Sequence, residues 1–121
     1  MHGETIVEPV PPGTNLAALK SAIDILAHPG LLTEEEARLA EERGIYLEIT
    51  TRKGHSLSNG HVVQIARKFK ANLVFNNDAH VPADFVSSKM AAKVARGAGL
   101  NDDEISIMFE NSKRIVQKVS V

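Results

Sequence analysis

Cysteine is absent from this chain of 121 residues, and so is tryptophan. Without thiols the chain forms no disulfide, no iron–sulfur cluster, no cysteine-ligated zinc finger and no thiol nucleophile. Aromatic side chains make up only 4% of the residues, which disfavours binding of nucleic acid by base stacking. No run of about 18 apolar residues occurs, so we expect no membrane span. The first residues lack a basic stretch followed by an apolar one, and we therefore expect no signal peptide and a cytoplasmic location.

The charge is nearly balanced, with 14 basic and 15 acidic residues. A broad basic face is not expected, and binding of nucleic acid is disfavoured for this reason too. Apolar residues are 43% of the chain and charged residues 24%, proportions that are typical of a folded protein. The length suits a single domain over residues 1–121 with one hydrophobic core.

Short apolar runs alternate along the chain with segments of helical periodicity. The apolar runs predict strands at about 24–27, 45–49 and 72–75. The helical patterns cover about 16–23, 33–43, 59–70, 82–96, 102–108 and 113–119. Such alternation predicts an α/β fold with three to four mainly parallel strands and flanking helices.

The ends of one predicted helix have clear sequence signals. Thr33 and Glu36 have the spacing of a capping box, in which the side chain of each residue binds the backbone of the other. Gly44 follows the last helical residue and is expected to end the helix.

Potential metal ligands follow each predicted strand. His28 follows the first strand, His55 lies in the loop after the second, and Asp78 and His80 follow the third. Because the carboxyl ends of parallel strands converge at one edge of a sheet, these side chains are expected to lie close together. Nitrogen and oxygen donors favour Zn, Mn or Fe over Cu(I). The alternative for any single histidine is an ordinary hydrogen-bonding loop residue.

Four segments together resemble the polymerase and histidinol phosphatase (PHP) family, and especially its histidinol-phosphatase-like phosphoesterases. They are His2-Gly3-Glu4-Thr5, the run from Asp24 to Gly30 that ends in His28-Pro29-Gly30, Leu47-Glu48-Ile49 with Gly54-His55-Ser56, and Asn77-Asp78-Ala79-His80. The order of these motifs is fairly specific, although any one of them alone is weak.

The resemblance implies a distorted TIM-like β/α barrel that binds two or three divalent ions and hydrolyses phosphate esters. By motif, Glu4 resembles the bridging carboxylate, and His28, His55, Asp78 and His80 resemble further ligands of Mn, Zn or Fe. Asp78 or His80 would also act in catalysis as a proton carrier.

A small phosphomonoester is the substrate that the resemblance implies. Arg52 and Lys53 directly precede the loop that contains His55, and they are candidates for binding the phosphate. The alternative for both is a solvated loop without a ligand.

The chain departs from the family pattern at its start. His2 is the only histidine before Glu4, and no His-x-His motif is present. The chain therefore resembles the C-terminal half of a PHP domain, and a half barrel would have two open sheet edges. We accordingly expect a homo-oligomer or a complementary N-terminal half as partner. A non-catalytic PHP-like scaffold or subunit is the alternative function.

Overall fold

Residues 1–119 are described by the computed structural model of the chain. They form a mixed α/β fold with three parallel strands in the order β1-β2-β3 and with flanking helices. The strands are β1 (Ile25–Leu26), β2 (Tyr46–Thr50) and β3 (Leu73–Asn76). The helices are α1 (Thr14–Leu19), α2 (Glu34–Arg43), α3 (Asn59–Phe69), α4 (Ser88–Gly97) and α5 (Asp102–Val119), and 3₁₀ turns cover His55–Ser58 and Pro82–Asp84. The predicted α/β class and the parallel sheet are therefore confirmed.

One face of the sheet packs against the helices and forms the core. Successive side chains of a strand point to opposite faces, and the in-register neighbours Leu26, Leu47 and Leu73 lie on the buried face. The residues of α2, α3 and α5 in this core are Ala37, Ala40, Val62, Val63, Ala66, Ile105 and Met108. Burial of a large apolar side chain contributes roughly 1.5–3 kcal/mol. This layer therefore holds the strands so that their carboxyl ends meet at one edge.

Both edges of the sheet are partly covered within the chain. At the outer edge of β3, Asn111 Nδ2 donates to Leu73 O over 2.9 Å, and Phe75 N donates to Ser112 Oγ over 3.4 Å. Next to β1, the amino-terminal segment runs parallel to the strand, and Ala27 exchanges two backbone hydrogen bonds with it. The edges that a half barrel would leave open are thus less exposed than we expected.

The capping box at the start of α2 is confirmed. Thr33 Oγ1 accepts from Glu36 N, and Glu36 Oε2 accepts from Thr33 N. Gly44 adopts the left-handed conformation that ends a helix, with φ 66°. These contacts involve residues close in sequence, which is why the sequence predicts them.

Two helix predictions near the end of the chain were wrong in detail. The predicted helix at 82–96 is divided into a 3₁₀ turn, Pro82–Asp84, and α4, because the Asp84 carboxylate binds the backbone before it and Ser87 caps a new helix. The two helices predicted between 102 and 119 form one continuous helix, α5. Within residues 1–119, none of the helices combines the length and apolarity needed to cross a membrane.

Candidate metal centre

Three side chains from three strand ends converge at the carboxyl edge of the sheet. His28, His55 and Asp78 each direct a potential ligand atom to one place, and these atoms all lie within 4.8 Å of one another. The two histidines are buried, with 6% and 5% of their surface exposed, whereas Asp78 is half-buried. The structure therefore brings together three of the five predicted ligands.

His28 is oriented by a buried carboxylate on the neighbouring strand. Glu48 Oε1 accepts from His28 N over 2.9 Å and lies 3.2 Å from His28 Nδ1. Because a carboxylate only accepts hydrogen bonds, Nδ1 bears the proton and Nε2 has the lone pair. Asn76 Nδ2 donates to the other oxygen of Glu48 over 3.1 Å.

The Nε2 atom of His28 is buried and, among residues 1–119, has no hydrogen-bond partner. Buried polar atoms are almost always satisfied by protein, water or an ion. Metal-binding histidines usually donate the other ring nitrogen to a carboxylate, as His28 does to Glu48. The arrangement therefore fits a metal ligand that binds through Nε2.

His55 begins the 3₁₀ turn after β2, and its ring stacks on that of His28. The ring centroids are 4.1 Å apart with an interplanar angle of 8°. His55 Nδ1 lies 2.6 Å from Thr5 Oγ1, a hydroxyl oxygen that can accept a hydrogen bond from Nδ1–H, and in that tautomer Nε2 has the lone pair that a metal ion binds. Burial, and next the nearby His28, lower the pKa of His55. A lowered pKa favours the neutral imidazole, which is the form that binds metal ions.

Backbone strain is concentrated at the candidate ligands. Among the residues described, three other than glycine have positive φ angles, namely His28 at 30°, Asp78 at 47° and Lys70 at 58°. Lys70 ends α3, where a left-handed residue is common. The other two belong to the candidate metal centre. Such strain costs of order 1–3 kcal/mol and persists where the surroundings enforce it, often at functional sites.

Arg52 lies beside Asp78 but binds mainly to another carboxylate. Its Nη1 donates to Asp84 Oδ2 over 2.8 Å, and its Nε is 4.0 Å from Asp78 Oδ2. Asp84 Oδ2 also accepts from His80 N and Val81 N, and these two backbone hydrogen bonds lower the pKa of Asp84. The loop after β3 is therefore held by ionic and backbone contacts to one carboxylate.

The remaining predicted site residues lie outside the three-residue group. Glu4 Oε2 accepts from Asn15 N over 2.9 Å, so its carboxylate binds the first turn of α1. His80 is exposed, and its Nδ1 lies 2.8 Å from Asp78 O. Lys53 is exposed at the tip of the loop between β2 and His55.

Two further residues of this region were missed by the sequence analysis. His2 packs edge-on against His28, with ring centroids 4.3 Å apart, and its Nε2 lies 2.9 Å from Glu8 Oε2. The other oxygen of Glu8 is 3.7 Å from His55 Nε2. Glu8 lies in a proline-rich segment with no strand or helix pattern, and the sequence alone gives no signal for its position.

Two clefts border the sheet. An apolar cleft of about 420 Å³ lies between α3 and α5 at the amino end of β3, away from the metal group; Ala66, Leu73 and Met108 are among its lining residues. A second cleft, of about 490 Å³, is lined in part by Asn76, Asn77 and Ser88 at the carboxyl end of β3, and the three candidate ligands are not among its lining residues.

Comparison with known proteins gives one similar sequence. The chain is 40% identical over 121 residues to the uncharacterized protein MJ1295 of Methanocaldococcus jannaschii. The match covers 98% of this chain and 56% of that protein, so the chain spans about half the length of the curated relative. No family model matches the chain, and no solved structure matches it.

Proposed function

We propose that this chain is the metal-binding part of a metal-dependent phosphoesterase of the PHP type, which hydrolyses a small phosphomonoester. The observation that carries the proposal is the convergence of His28, His55 and Asp78, with the Nε2 atom of His28 buried and unsatisfied within residues 1–119. Their origin at three successive strand ends is typical of active sites in β/α folds.

The donor set limits the choice of ion. Two imidazoles and one carboxylate suit Zn²⁺, Mn²⁺ or Fe²⁺, and all three ions use such ligands. A bound divalent ion would supply an activated water molecule and would neutralise charge on the phosphoryl group. Glu48 and Thr5 support the proposal because they bind Nδ1 of the two histidines and orient their rings.

Substrate binding and proton transfer are assigned to residues around this group. Arg52 uses Nη1 for Asp84, and its other N–H groups remain as potential donors to phosphate oxygens. Lys53 is exposed next to it and would add positive charge. The carbonyl of Asp78 fixes the proton of His80 on Nδ1, so we assign proton transfer at its Nε2 to His80. Asp78 is a metal ligand in this proposal, and a proton-carrying role for it is secondary.

The barrel and the partners are also part of the proposal. A PHP-type β/α barrel would continue the parallel sheet beyond these three strands, and the match covers only 56% of the relative. We propose that a complementary N-terminal half or a second copy of the chain completes the barrel. The covered sheet edges weaken the physical reason for self-association, and so the complementary half is favoured. We also propose that the protein is located in the cytoplasm.

A non-catalytic scaffold is the second candidate, and one contact favours it. The guanidinium of Arg52 is already paired with Asp84 and lies beside Asp78, so the phosphate-binding residue has carboxylate partners within the chain. In this alternative the site holds a metal ion for structural reasons or has lost it.

The metal content of the purified chain tests the proposal first. The chain would be prepared without chelator or histidine tag, and elemental analysis would be compared for the native protein, Asp78→Asn and the control Asp103→Asn, which changes an exposed residue of α5. We expect about one Zn, Mn or Fe per chain in the native protein and the control, and a clear loss in Asp78→Asn, because a ligand is removed. A native chain without bound metal after incubation with each ion would contradict the proposal.

Hydrolysis then separates the two candidate functions. The hydrolysis of p-nitrophenyl phosphate would be measured with the metal-loaded chain alone. It would be measured again after the chain is mixed with the part of MJ1295 that lies outside the matched region. Metal-dependent hydrolysis that falls on Arg52→Gln supports the phosphoesterase. Bound metal with no hydrolysis in either mixture supports the scaffold.

A further inference from the structure

The carboxylate of Glu8 faces the candidate metal centre from the amino-terminal segment. Glu8 Oε1 is 3.7 Å from His55 Nε2, and Asp78 Oδ2 is 3.8 Å from the same atom. The two carboxylates therefore approach this histidine at matching distances, although only Asp78 belongs to the group defined by the three strand ends.

These separations are close to those between the ligands of one ion. Nitrogen and oxygen ligands bind Zn²⁺ at about 2.0–2.2 Å, which in a tetrahedral site places them roughly 3.3–3.6 Å apart. The distances from His55 Nε2 to Glu8 Oε1 and to Asp78 Oδ2 exceed that spacing by a few tenths of an ångström. Glu8 lies outside the group whose ligand atoms are all within 4.8 Å of one another, so its side chain would have to move further to meet the ion. The half-exposed Glu8 side chain has room for such a movement.

The second oxygen of Glu8 has its own partner. Oε2 lies 2.9 Å from His2 Nε2, and the ring of His2 rests edge-on against the ring of His28. His2 thus holds Oε2 of Glu8, while Oε1 faces His55 in the candidate metal centre. Metal-binding carboxylates are commonly oriented by a hydrogen bond of this kind.

Contacts on the same segment place Glu8 over the turn that contains His55. Thr5 Oγ1 is 2.6 Å from His55 Nδ1, and Val7 packs on Gly54, where an added Cβ would lie 3.1 Å from Val7 Cγ2. Because both contacts are within three residues of Glu8, the position of its backbone follows from the position of His55.

A second carboxylate would also add a direct anionic ligand. Among the three candidate ligands only Asp78 is an anion, and the buried Glu48 carboxylate lies behind His28, on its Nδ1 side. A charge in a largely buried place is unfavourable unless it is paired. The Glu8 carboxylate would place a second negative charge in direct contact with the ion.

We propose that Glu8, rather than Glu4, supplies the fourth ligand of the metal centre and that His2 positions it. The ligand set is then His28, His55, Asp78 and Glu8, and the bound ion ties the amino-terminal segment to the three strand ends. This inference rests on the proposed function, because it requires that the first three residues bind a metal ion.

Metal affinity measured on the whole chain tests the proposal without an activity assay. Metal-free protein would be titrated with Zn²⁺ by calorimetry and with Co²⁺ by visible absorption, whose bands report the number and geometry of ligands. The variants are Glu8→Gln, His2→Gln and the control Glu42→Gln, which changes an exposed residue near the end of α2. We expect Glu8→Gln to weaken Zn²⁺ binding about 10–100-fold and to alter the Co²⁺ spectrum, His2→Gln to weaken binding less, and the control to bind as the native chain does.

Three results would overturn this proposal, and they are distinguishable. If the native chain binds Zn²⁺ and Glu8→Gln binds it equally well with an unchanged Co²⁺ spectrum, Glu8 is only the ion-pair partner of His2. If His2→Gln loses more affinity than Glu8→Gln, the histidine is the ligand. If the native chain binds neither ion, the metal centre is absent, and the proposed function fails together with this inference.

Discussion

The ends of β1 and β3 each contain a predicted metal ligand, but the chain holds the two loops in different ways. At the end of β1, His28-Pro29-Gly30 is buried, Asn15 Nδ2 donates to Pro29 O over 2.8 Å, and Glu48 binds the backbone of His28. At the end of β3, Asp78-Ala79-His80 is half-buried to exposed, and its backbone is held by the carboxylate of Asp84.

This difference separates a rigid half of the site from an adjustable one. The backbone of the first loop is satisfied by buried partners, and rearrangement would leave those partners unsatisfied, at about 1–3 kcal/mol for each group. The second loop is held by backbone hydrogen bonds from His80 and Val81 to the carboxylate of Asp84, and both of these donor residues are exposed to solvent, which can replace the bonds when the loop moves. We infer that His28 is held in a fixed position by the fold, and that Asp78 would be the residue to move if a metal ion bound.

The largest effect should come from changing Gly30 in the rigid loop. A Cβ at Gly30 would lie 1.9 Å from Glu4 O, and the residue has a φ of 66°. Gly44 has the same φ, but in the described chain nothing lies within 4 Å of its added Cβ. Gly30→Ala should lower the free energy of unfolding by about 3 kcal/mol or more, and Gly44→Ala by about 1 kcal/mol. Urea unfolding followed by circular dichroism measures both.

The difference between these two variants isolates the steric effect, because their backbone strain is matched. Equal losses of stability would contradict the rigid packing of the amino-terminal segment on the His28 loop. The loop at the end of β1 would then not be more rigid than the loop at the end of β3.

An intermediate effect is expected when the carboxylate behind each ligand is neutralised. Glu48→Gln removes the charge that orients His28, and Asp84→Asn removes the charge that holds the loop of Asp78. Zn²⁺ affinity should fall about 10–100-fold in Glu48→Gln and less than about threefold in Asp84→Asn, because the second loop adjusts. Calorimetric titration of both variants measures the difference, and a larger loss in Asp84→Asn would reverse our assignment of the rigid end.

The smallest effect concerns the pH dependence of His55, which lies between the two strand ends. Its pKa is lowered in the folded chain, first by burial and then by His28. Below the usual histidine pKa of about 6.5, the unfolded chain binds a proton at this residue while the folded chain still does not. The unfolded state therefore binds more protons in that range, and the stability of the metal-free protein should decrease as the pH falls through it.

Nuclear magnetic resonance titration of the His55 ring tests this prediction. We expect its midpoint in the metal-free folded protein to lie below the midpoint for the same chain unfolded in urea. A midpoint at or above that of the unfolded chain would mean that the nearby carboxylates of Glu8 and Asp78, which raise the pKa, outweigh burial.

Local signals made much of the fold predictable. The alternation of apolar runs and helical segments predicted all three strands, and the capping box of α2 was predicted by residues three apart in sequence. The pattern after Pro82 predicted one helix where the structure has a 3₁₀ turn and then α4. The sequence does not reveal that the Asp84 carboxylate turns back to bind His80 N and Val81 N.

The candidate site was predictable only in part. Three candidate ligands after strand ends lie close together as expected, because parallel strands bring their carboxyl ends to one edge of the sheet. Glu4 was assigned by motif, yet its carboxylate binds Asn15. Glu8 was missed because it lies in an irregular segment, where neither periodicity nor spacing indicates which way a side chain points.

By itself the sequence determined the α/β alternation and the chemistry of the available donors. A chain without cysteine offers a metal ion only nitrogen and oxygen atoms, whatever its fold. The tertiary structure alone decided which donors meet, since loop residues far apart in sequence are placed by packing and by buried hydrogen bonds. The burial of His28 against Glu48 leaves its Nε2 without a hydrogen-bond partner among residues 1–119, while its ring stacks on that of His55.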